Sequence, residues 1–211
     1  MYTDQPKLLG QPEALASRLE EIEQSHIAPL TEFVRRLRVN IGSNASIPFF
    51  DPWDGGINAE VLFLLEAPGP KARNSGFVSR NNPDETAKNF FELLIEAGIP
   101  RKSSILWNVV PWYIGTGTKI RPANTSDISS GVKSLEELLN LLPRLRGIVL
   151  VGRKAQKAEK FVRKIHPSLF IETCPHPSPM FINRKAGNRK VLLDCLCRVK
   201  AHLEEVGLPS V

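Results

Sequence analysis

Residues 61–70 read Val-Leu-Phe-Leu-Leu-Glu-Ala-Pro-Gly-Pro. The apolar run Val61–Leu65 predicts a buried β-strand, and a polar turn stiffened by two prolines follows it at once. A second apolar run, residues 169–173, is followed shortly by His176-Pro177-Ser178-Pro179. Because ligands of open α/β sheets bind at the carboxyl ends of the strands, the two motifs predict that the carboxylate of Glu66 and the imidazole of His176 face one cleft.

Short apolar segments alternate with helical patterns along the rest of the chain. Further strands are predicted at residues 105–109 and 147–151, and helices at residues 86–97, 127–142, 153–165 and 188–206. Residues 13–38 predict one or two amphipathic helices, with a break expected at Pro29. Strands that alternate with helices pair in parallel. The pattern therefore predicts an α/β fold, a three-layer α/β/α sandwich with a central, mostly parallel four-stranded sheet. We expect one domain over residues 1–211, with a helical segment at residues 1–45 packed on it.

The composition is that of an ordinary globular chain, with 42% hydrophobic and 24% charged residues. The longest apolar runs are about five residues, too short to cross a bilayer, and the first ten residues lack the features of a secretory signal. The three cysteines, Cys174, Cys195 and Cys197, show no paired zinc spacing, and a Cys-ligated iron–sulfur cluster needs a fourth. We expect a cytoplasmic monomer with no cofactor, no metal and no membrane partner.

Positive charge is concentrated in one part of the chain. The net charge is +6, but residues 144–200 carry fourteen Lys or Arg against three acidic residues, a net of +11, which leaves about −5 for the remainder. One-sided basicity is typical of proteins that bind a polyanion. The loop at residues 183–190, Asn-Arg-Lys-Ala-Gly-Asn-Arg-Lys, is the stronger candidate for such contacts. The basic residues of segment 154–164 fit a solvated helix face at least as well.

A third segment, Ile105-Leu106-Trp107-Asn108-Val109-Val110-Pro111-Trp112, places an asparagine at the end of an apolar strand. A buried amide without hydrogen bonds is costly, so Asn108 either bonds a neighbouring loop or serves a ligand. Together, this segment and the motifs at Glu66 and His176 resemble those of the uracil-DNA glycosylase superfamily, over roughly residues 55–200. The first motif is similar to that of the iron–sulfur branch, although Leu65 stands where that branch has glycine.

The resemblance implies a DNA glycosylase that flips the target base into the cleft. It implies that Glu66 guides the attacking water and that His176 donates to the departing base, because a positioned donor stabilises developing negative charge. The similar sequence His166-Pro167-Ser168 is rejected for this role because it precedes a strand and lies at the amino end of the sheet.

The resemblance also implies which residues hold the base. Ala67 and Gly69 would lie against it, Phe77 would stack on it, and Asn108 would read its edge, since an amide both donates and accepts hydrogen bonds. A purely structural role for Phe77, as the core anchor of a long loop, is the alternative.

Contacts with DNA outside the base pocket are implied as well. Ser178 would bind a phosphate, and Met180 would fill the gap left by the flipped nucleotide, with an ordinary loop contact as its alternative. The segment Gly152-Arg153-Lys154, where the third strand meets a helix, suits a phosphate. The basic residues expected on phosphates in the loop at 183–190 are Arg184, Lys185, Arg189 and Lys190.

These inferences predict a monofunctional DNA N-glycosylase for uracil or a related or modified pyrimidine in single- or double-stranded DNA. Two alternatives stay open: an antiviral defence enzyme for a bulky modified cytosine, and a non-catalytic DNA-binding module on the same fold. Leu65 and the Gly-rich loop at residues 115–119 are places where a different pocket could arise. The set Glu66, Asn108 and His176 favours an enzyme, because a pure binder has no need of all three.

Overall fold

The computed structural model describes residues 2–42, 45–116 and 119–207. Within the loop predicted at residues 115–119, Gly117 and Thr118 lie outside the described residues. The strands are β1 (Phe49–Phe50), β2 (Val61–Leu65), β3 (Phe77–Val78), β4 (Ser104–Asn108), β5 (Gly115–Thr116), β6 (Lys119–Ile120), β7 (Gly147–Val151) and β8 (Phe170–Cys174). The helices are α1 (Pro12–Glu20), α2 (Ala28–Ile41), α3 (Pro70–Ser75), α4 (Glu85–Glu96), α5 (Thr125–Gly131), α6 (Leu135–Asn140), α7 (Glu159–Ile165), α8 (Pro179–Ile182) and α9 (Asn188–Gly207).

The central sheet has four strands in the order β4-β2-β7-β8, and all neighbouring pairs are parallel. The register places Leu65 opposite Asn108 and Val151 opposite Cys174. The chain segments that carry Glu66, Asn108 and His176 therefore leave the sheet at the same edge. The predicted α/β fold with a central parallel four-stranded sheet is confirmed.

The two middle strands form the centre of the core. Residues 61–64 of β2 and 148–151 of β7 have no exposed surface, as expected for strands covered on both faces. Helix α4 packs on β2 through Phe90, whose ring meets that of Phe63 edge-on at 5.1 Å, and α9 packs on β7 and β8. Each such apolar side chain contributes roughly 1.5–3 kcal/mol by its burial. Among the described helices, none is both long and apolar enough to cross a bilayer.

Two helices predicted as continuous are interrupted. A 3-10 turn at Val132–Ser134 separates α5 from α6, and another at Ala155–Ala158 precedes α7. Helix α5 also begins two residues before the expected Asp127, because Asn124 accepts a hydrogen bond from the backbone N–H of Asp127 and Asp127 caps Asn124 in return. The cap fixes where α5 begins, and the segment just before it lies at the carboxyl edge of the sheet, beside Glu66.

A cluster of buried charges joins the N-terminal segment to the sheet, and we call it the Asp51–Asp54 cluster. Its members are Arg18, Asp51, Asp54, Arg80 and Arg101. Asp51 accepts from Arg18 Nη1 at 2.5 Å and from Arg101 Nη2 at 2.6 Å, while Asp54 accepts from Arg101 Nε at 2.9 Å. Ser79 also donates to Asp51. Since these residues come from α1, two loops and the 3-10 turn Arg101–Ser103 before β4, the cluster holds four distant parts of the chain together.

The two carboxylates of the cluster respond to burial in opposite ways. Burial alone would raise the pKa of Asp51, but Arg101, Arg18 and the hydroxyl of Ser79 lower it to about 2. For Asp54 burial prevails, and its pKa is raised although Arg80 and Arg101 oppose the shift. Asp51 is therefore the member whose negative charge the surrounding arginines stabilise most.

Candidate active site

A cavity of about 480 Å³ opens at the carboxyl ends of β2 and β4. One side of its wall is formed by the loop after β2, with the start of α3, and by the end of β4. The other side is formed by the loop before α4 with the first turns of that helix, by the segment between β6 and α5, and by the loop after β8. The polar side chains in that wall are Glu66, Lys71, Ser79, Asn82, Asp84, Thr86, Asn108, Arg121 and His176. The cavity thus brings together the three side chains that the sequence singled out, and its volume suits a small organic ligand.

Glu66 is fixed by one of its two carboxylate oxygens. The backbone N–H of Ala123 donates to Oε1 of Glu66 at 2.6 Å, while Oε2 has no hydrogen-bond partner among the described residues. Lys154 donates from Nζ to the carbonyl oxygen of the same Ala123. Ala123 is fully buried and follows Ile120, Arg121 and Pro122 of the cavity wall. One carboxylate oxygen is thereby held in place and the other is left available to a ligand or water.

His176 follows β8 and approaches the backbone of Gly152. Gly152 has a φ of 87°, which favours glycine, and a Cβ there would come within a tight 3.2 Å of that of His176. Burial lowers the pKa of His176, and the carboxylates of Glu66 and Asp84 oppose this only in part. The imidazole is therefore neutral at pH 7 and carries one N–H donor.

Two further contacts position these groups. Asn89 on α4 donates from Nδ2 to the carbonyl oxygen of Pro177 at 3.0 Å, which holds the residue after His176. Asp84, in the cavity wall, caps α4 by accepting from the backbone N–H of Ala87 at 2.9 Å. Helix α4 thus anchors one side of the site.

Asn108 is the clearest sign of a ligand site. Its side chain is 3% exposed and lines the cavity, yet its amide forms no hydrogen bond with any residue that the structure describes. Burying an unpaired amide is unfavourable by about 1–3 kcal/mol in proteins. The amide is therefore oriented for a partner that the folded chain itself does not supply.

The model of the Uracil DNA glycosylase superfamily matches residues 52–200. The chain belongs to the uracil DNA glycosylase superfamily. Among solved structures it is similar to wild-type SMUG2 from Pedobacter heparinus, with 14% identity and a TM-score of 0.54 over 70% of this chain and 77% of that chain. A second similar structure is a putative uracil DNA glycosylase from Methanosarcina acetivorans, with 18% identity, a TM-score of 0.47 and coverage of 68% and 92%.

A mutant of UNG from Nitratifractor salsuginis is also similar, with 11% identity and a TM-score of 0.44 over 88% of this chain and 98% of that chain. At 14% identity, the similarity to the Pedobacter structure shows a shared fold alone. No sequence among the curated proteins matches the chain.

Within this superfamily fold, the predicted base-binding residues divide into two groups. Ala67 and Gly69 line the cavity beside Glu66, as Asn108 does. Phe77 does not: its ring has no exposed surface and lies outside the cavity wall, because β3 pairs with β1 and places Phe77 opposite Phe49. The prediction that Phe77 stacks on the base is wrong in this structure, and the alternative of a structural anchor describes it.

Phe90 is the aromatic residue that lines the cavity instead. The amphipathic pattern of α4 marks it as an inward-facing residue, but the sequence gives no sign that it reaches the site. The same holds for Asn82 and Arg121 in the wall. Asn82 accepts from Ser75 Oγ at 2.6 Å, and Arg121 forms two hydrogen bonds with Asp127 at 2.6 and 2.9 Å.

The predicted phosphate contacts also divide. Arg153, Arg184 and Lys185 are exposed and have no carboxylate partner among the described residues, whereas Arg189 pairs with Glu96 at 2.6 Å and Lys190 with Asp194 at 2.7 Å. These two are surface pairs, which are readily broken by a competing anion.

The structure also bears on the predicted roles of the segment Gly152-Arg153-Lys154, of Ser178 and of Met180. The backbone N–H of Gly152 donates to the carbonyl oxygen of Cys174 at 2.7 Å, so it is not available to a phosphate, and Lys154 is occupied by Ala123. Ser178 caps α8, where its Oγ accepts from the backbone N–H of Phe181 at 3.3 Å. Met180 is 83% exposed, so an ordinary packing contact does not describe it.

Proposed function

We propose that the protein is a DNA N-glycosylase that hydrolyses the glycosidic bond of uracil or a related pyrimidine and leaves an abasic site. The observation that carries the proposal is the convergence of Glu66, Asn108 and His176 on one cavity, with the Asn108 amide unpaired. The target nucleotide must leave the base stack to reach this cavity, because the glycosidic bond is inaccessible inside a duplex.

The arrangement assigns a role to each of the three side chains. Asn108 pairs with the edge of the base and recovers the hydrogen bonds that it lacks in the free protein. As the bond between C1′ and the base nitrogen breaks, its electron pair goes to the base, and the neutral His176 donates its N–H to the base oxygen where negative charge develops.

Water completes the reaction from the side of Glu66. The free Oε2 accepts a hydrogen bond from the water whose oxygen attacks C1′, and its negative charge offsets the positive charge of the oxocarbenium-like sugar. The hydroxyl of that water stays on C1′, and its proton balances the departing base anion. No step in this sequence uses a lysine amine or a metal ion.

A non-catalytic DNA-binding module on this fold is the rival proposal. It has no use for an unpaired buried amide, a half-free carboxylate and a neutral imidazole in one cavity. All three groups face the cavity, where a bound base and an attacking water would find hydrogen-bond partners.

An enzyme for a bulky modified cytosine, as in antiviral defence, is the second candidate. The cavity volume of about 480 Å³ favours it, because pockets of roughly 300–1,000 Å³ accept drug-sized molecules and a bare pyrimidine is smaller. A substituent on the base would find apolar side chains such as Phe90 and Ile120 in the wall.

The test is incubation with oligonucleotides that carry uracil, hypoxanthine or modified cytosines at one position, with the released base identified by mass spectrometry. Alkali then cleaves the strand at abasic sites. The control is Glu66→Gln, whose Oε1 still accepts from Ala123. No base release from any substrate by the wild type would contradict the proposal.

The same experiment examines the monofunctional mechanism. Lys71 is the lysine that lines the cavity in the described part of the chain, so a covalent route would have to use it. Strand cleavage without alkali, together with a borohydride-trapped adduct that Lys71→Arg abolishes, would replace hydrolysis by a Schiff-base mechanism.

A further inference from the structure

A second cleft lies beside α3, which also contributes to the wall of the cavity described above. Its volume is about 370 Å³, and it is lined by residues 45–48 together with Arg38, Arg73 and Gly76. Arg38 comes from the last turn of α2 and Arg73 from α3. No acidic side chain is among the residues that line it, so two positive charges face one cleft without a negative charge to offset them.

The pairing of arginines across the molecule makes this cleft unusual. Among the described residues, most arginines lie within 4.0 Å of a carboxylate oxygen, as Arg36 does with Glu137 at 2.6 Å. The arginines without such a partner are Arg38, Arg73, Arg153 and Arg184. The last two belong to segments already expected to contact DNA, and the first two line this cleft. An unpaired guanidinium is the group that a phosphate oxygen binds best.

Both guanidinium groups are held in place before any ligand arrives. Arg38 donates from Nε to the carbonyl oxygen of Ile47 at 2.9 Å and lies over the ring of Phe49, with 3.9 Å between Cζ and the ring centroid. Arg73 lies over the ring of Tyr113 at 4.8 Å. Nη1 of Arg38 and both Nη atoms of Arg73 have no partner in the described parts of the chain. Preorganised donors of this kind bind an anion with little loss of side-chain freedom.

The cleft is also close to the cavity. Pro70, Lys71 and Ala72 of α3 line the cavity, and Arg73 lines the cleft. The six residues of α3 span about 9 Å at 1.5 Å per residue. Since successive nucleotides of one strand rise about 3.4 Å along a duplex axis, we expect a phosphate in the cleft to lie about two or three nucleotides from a base held in the cavity.

We propose that Arg38 and Arg73 bind a phosphodiester of the same DNA strand whose base enters the catalytic cavity. This inference rests on the proposed function for the identity of the strand. The net positive charge of the chain is concentrated in residues 144–200. Arg38 and Arg73 lie outside that segment, so the proposal adds a phosphate site that the charge distribution does not indicate.

The main experiment measures binding rather than catalysis. A fluorescein-labelled duplex with a tetrahydrofuran abasic analogue at one position is titrated with wild type, Arg73→Gln and the control Arg36→Gln at several salt concentrations. Arg73→Gln is expected to bind about threefold to tenfold more weakly and to reduce the slope of log K against log salt by about 0.9. Arg36 is on the same helix as Arg38 but is paired with Glu137. Arg36→Gln is therefore expected to leave both the affinity for the duplex and its salt slope unchanged.

Arg38 needs a variant that separates charge from fold, because it also bonds Ile47. Arg38→Lys retains the charge and Arg38→Gln removes it, and their thermal unfolding is compared first. The proposal expects Arg38→Gln to lower the salt slope and Arg38→Lys to retain most of it. An equal loss in both variants at unchanged unfolding temperature would overturn the role of charge at Arg38.

A set of duplexes with one neutral methylphosphonate linkage each then locates the contact. The wild type is expected to bind more weakly to the duplex whose neutral linkage lies two or three nucleotides from the abasic analogue. Arg73→Gln is expected to bind that duplex as well as it binds the unmodified one. The proposal is overturned if Arg73→Gln keeps the wild-type slope, or if inorganic phosphate at low millimolar concentration competes as well as the strand does. Base release by wild type is measured separately, so a failure of the glycosylase proposal shows itself independently of this binding result.

Discussion

The Asp51–Asp54 cluster and the candidate active-site cavity both contain buried polar side chains, but those side chains differ in how they are partnered. In the cluster, every charged side chain lies within 3.4 Å of an opposite charge. In the cavity, Asn108 and His176 have no hydrogen bond with any described residue, and the carboxylate of Glu66 has one. The cluster pairs every charge, although Arg18 Nε and Nη2, Asp54 Oδ2 and Arg80 Nε lack a hydrogen bond and are enclosed by the described chain. The free polar groups of the cavity, in contrast, are open to a ligand. The comparison makes separate predictions for stability and for activity.

The largest effect is expected from breaking the cluster. Asp51→Asn leaves Arg18 and Arg101 without their shared carboxylate, and removing one partner of a buried ion pair costs about 3–5 kcal/mol of unfolding free energy. Urea unfolding followed by tryptophan fluorescence measures the loss. The control is Glu137→Gln at the exposed pair with Arg36, which should cost no more than about 1 kcal/mol. Similar losses in both variants would show that the cluster is not a special source of stability.

His176→Ala is expected to have the reverse profile. Loss of one donor to a developing anion slows the chemical step roughly 10²–10³-fold, while the unfolding free energy changes little because the imidazole has no partner in the described chain. Single-turnover base release and urea unfolding measure the two quantities. His166→Ala is the matched control, and an equal rate loss in that variant would assign the reaction to the other His-Pro-Ser sequence.

Acid provides a second way to weaken the cluster. The pKa of Asp51 is about 2 in the folded protein, below its ordinary value of 3.8, so the unfolded chain takes up the proton first as the pH falls. The stabilisation, about 2 kcal/mol, is complete above about pH 5 and is lost progressively as the pH falls through 3.8 and on to about 1. Unfolding free energies of wild type and Asp51→Asn across this range should converge. Parallel curves would show that Asp51 does not titrate in this window.

Asn108→Leu tests whether an unpaired group in the cavity lowers stability. Replacing the buried amide by an apolar side chain of similar size is expected to raise the unfolding free energy by about 1 kcal/mol while base release falls. A companion variant, Asn108→Asp, should shift selectivity toward cytosine-like bases, because a carboxylate accepts from an exocyclic amine. A destabilised Asn108→Leu would mean that the amide has a structural partner in solution.

The smallest effect on stability is expected at Met180, which is 83% exposed. Met180→Ala should change the unfolding free energy by less than about 0.5 kcal/mol. It should slow excision several-fold from stable base pairs and leave single-stranded substrates unaffected, since flipping is easiest there. Equal slowing on both substrates would remove the wedge role.

The fold and the polar groups of the cavity were accessible to sequence reasoning because both depend on local signals. Strands such as Val61–Leu65 are marked by unbroken apolar runs, and a motif directly after such a strand must lie at its carboxyl end. Glu66 and His176 could thus be placed in one cleft without knowledge of any long-range contact. The two interrupted helices were missed because their 3-10 turns depend on packing rather than on periodicity.

The cluster and the true wall of the cavity were not accessible in this way. Arg18, Asp51 and Arg101 are separated by 33 and 50 residues, and each taken alone reads as an ordinary surface charge. Phe77 failed as a stacking residue for a related reason: the pairing of β3 with β1, which buries its ring, joins two-residue strands that have no periodic signal. Phe90 reaches the cavity only because α4 packs across the sheet.

The bond between Glu66 and Ala123 links the size of the cavity to the speed of the reaction. Ala123 follows the wall segment Ile120-Arg121-Pro122, and its N–H donates to Oε1 of Glu66, the carboxylate that we propose orients water. If the protein acts on bases as we propose, a base too large for the cavity would press on this segment and thereby on the bond that holds Glu66. We therefore expect oversized bases to be bound but turned over slowly, so that selection by size acts on the turnover number rather than on affinity.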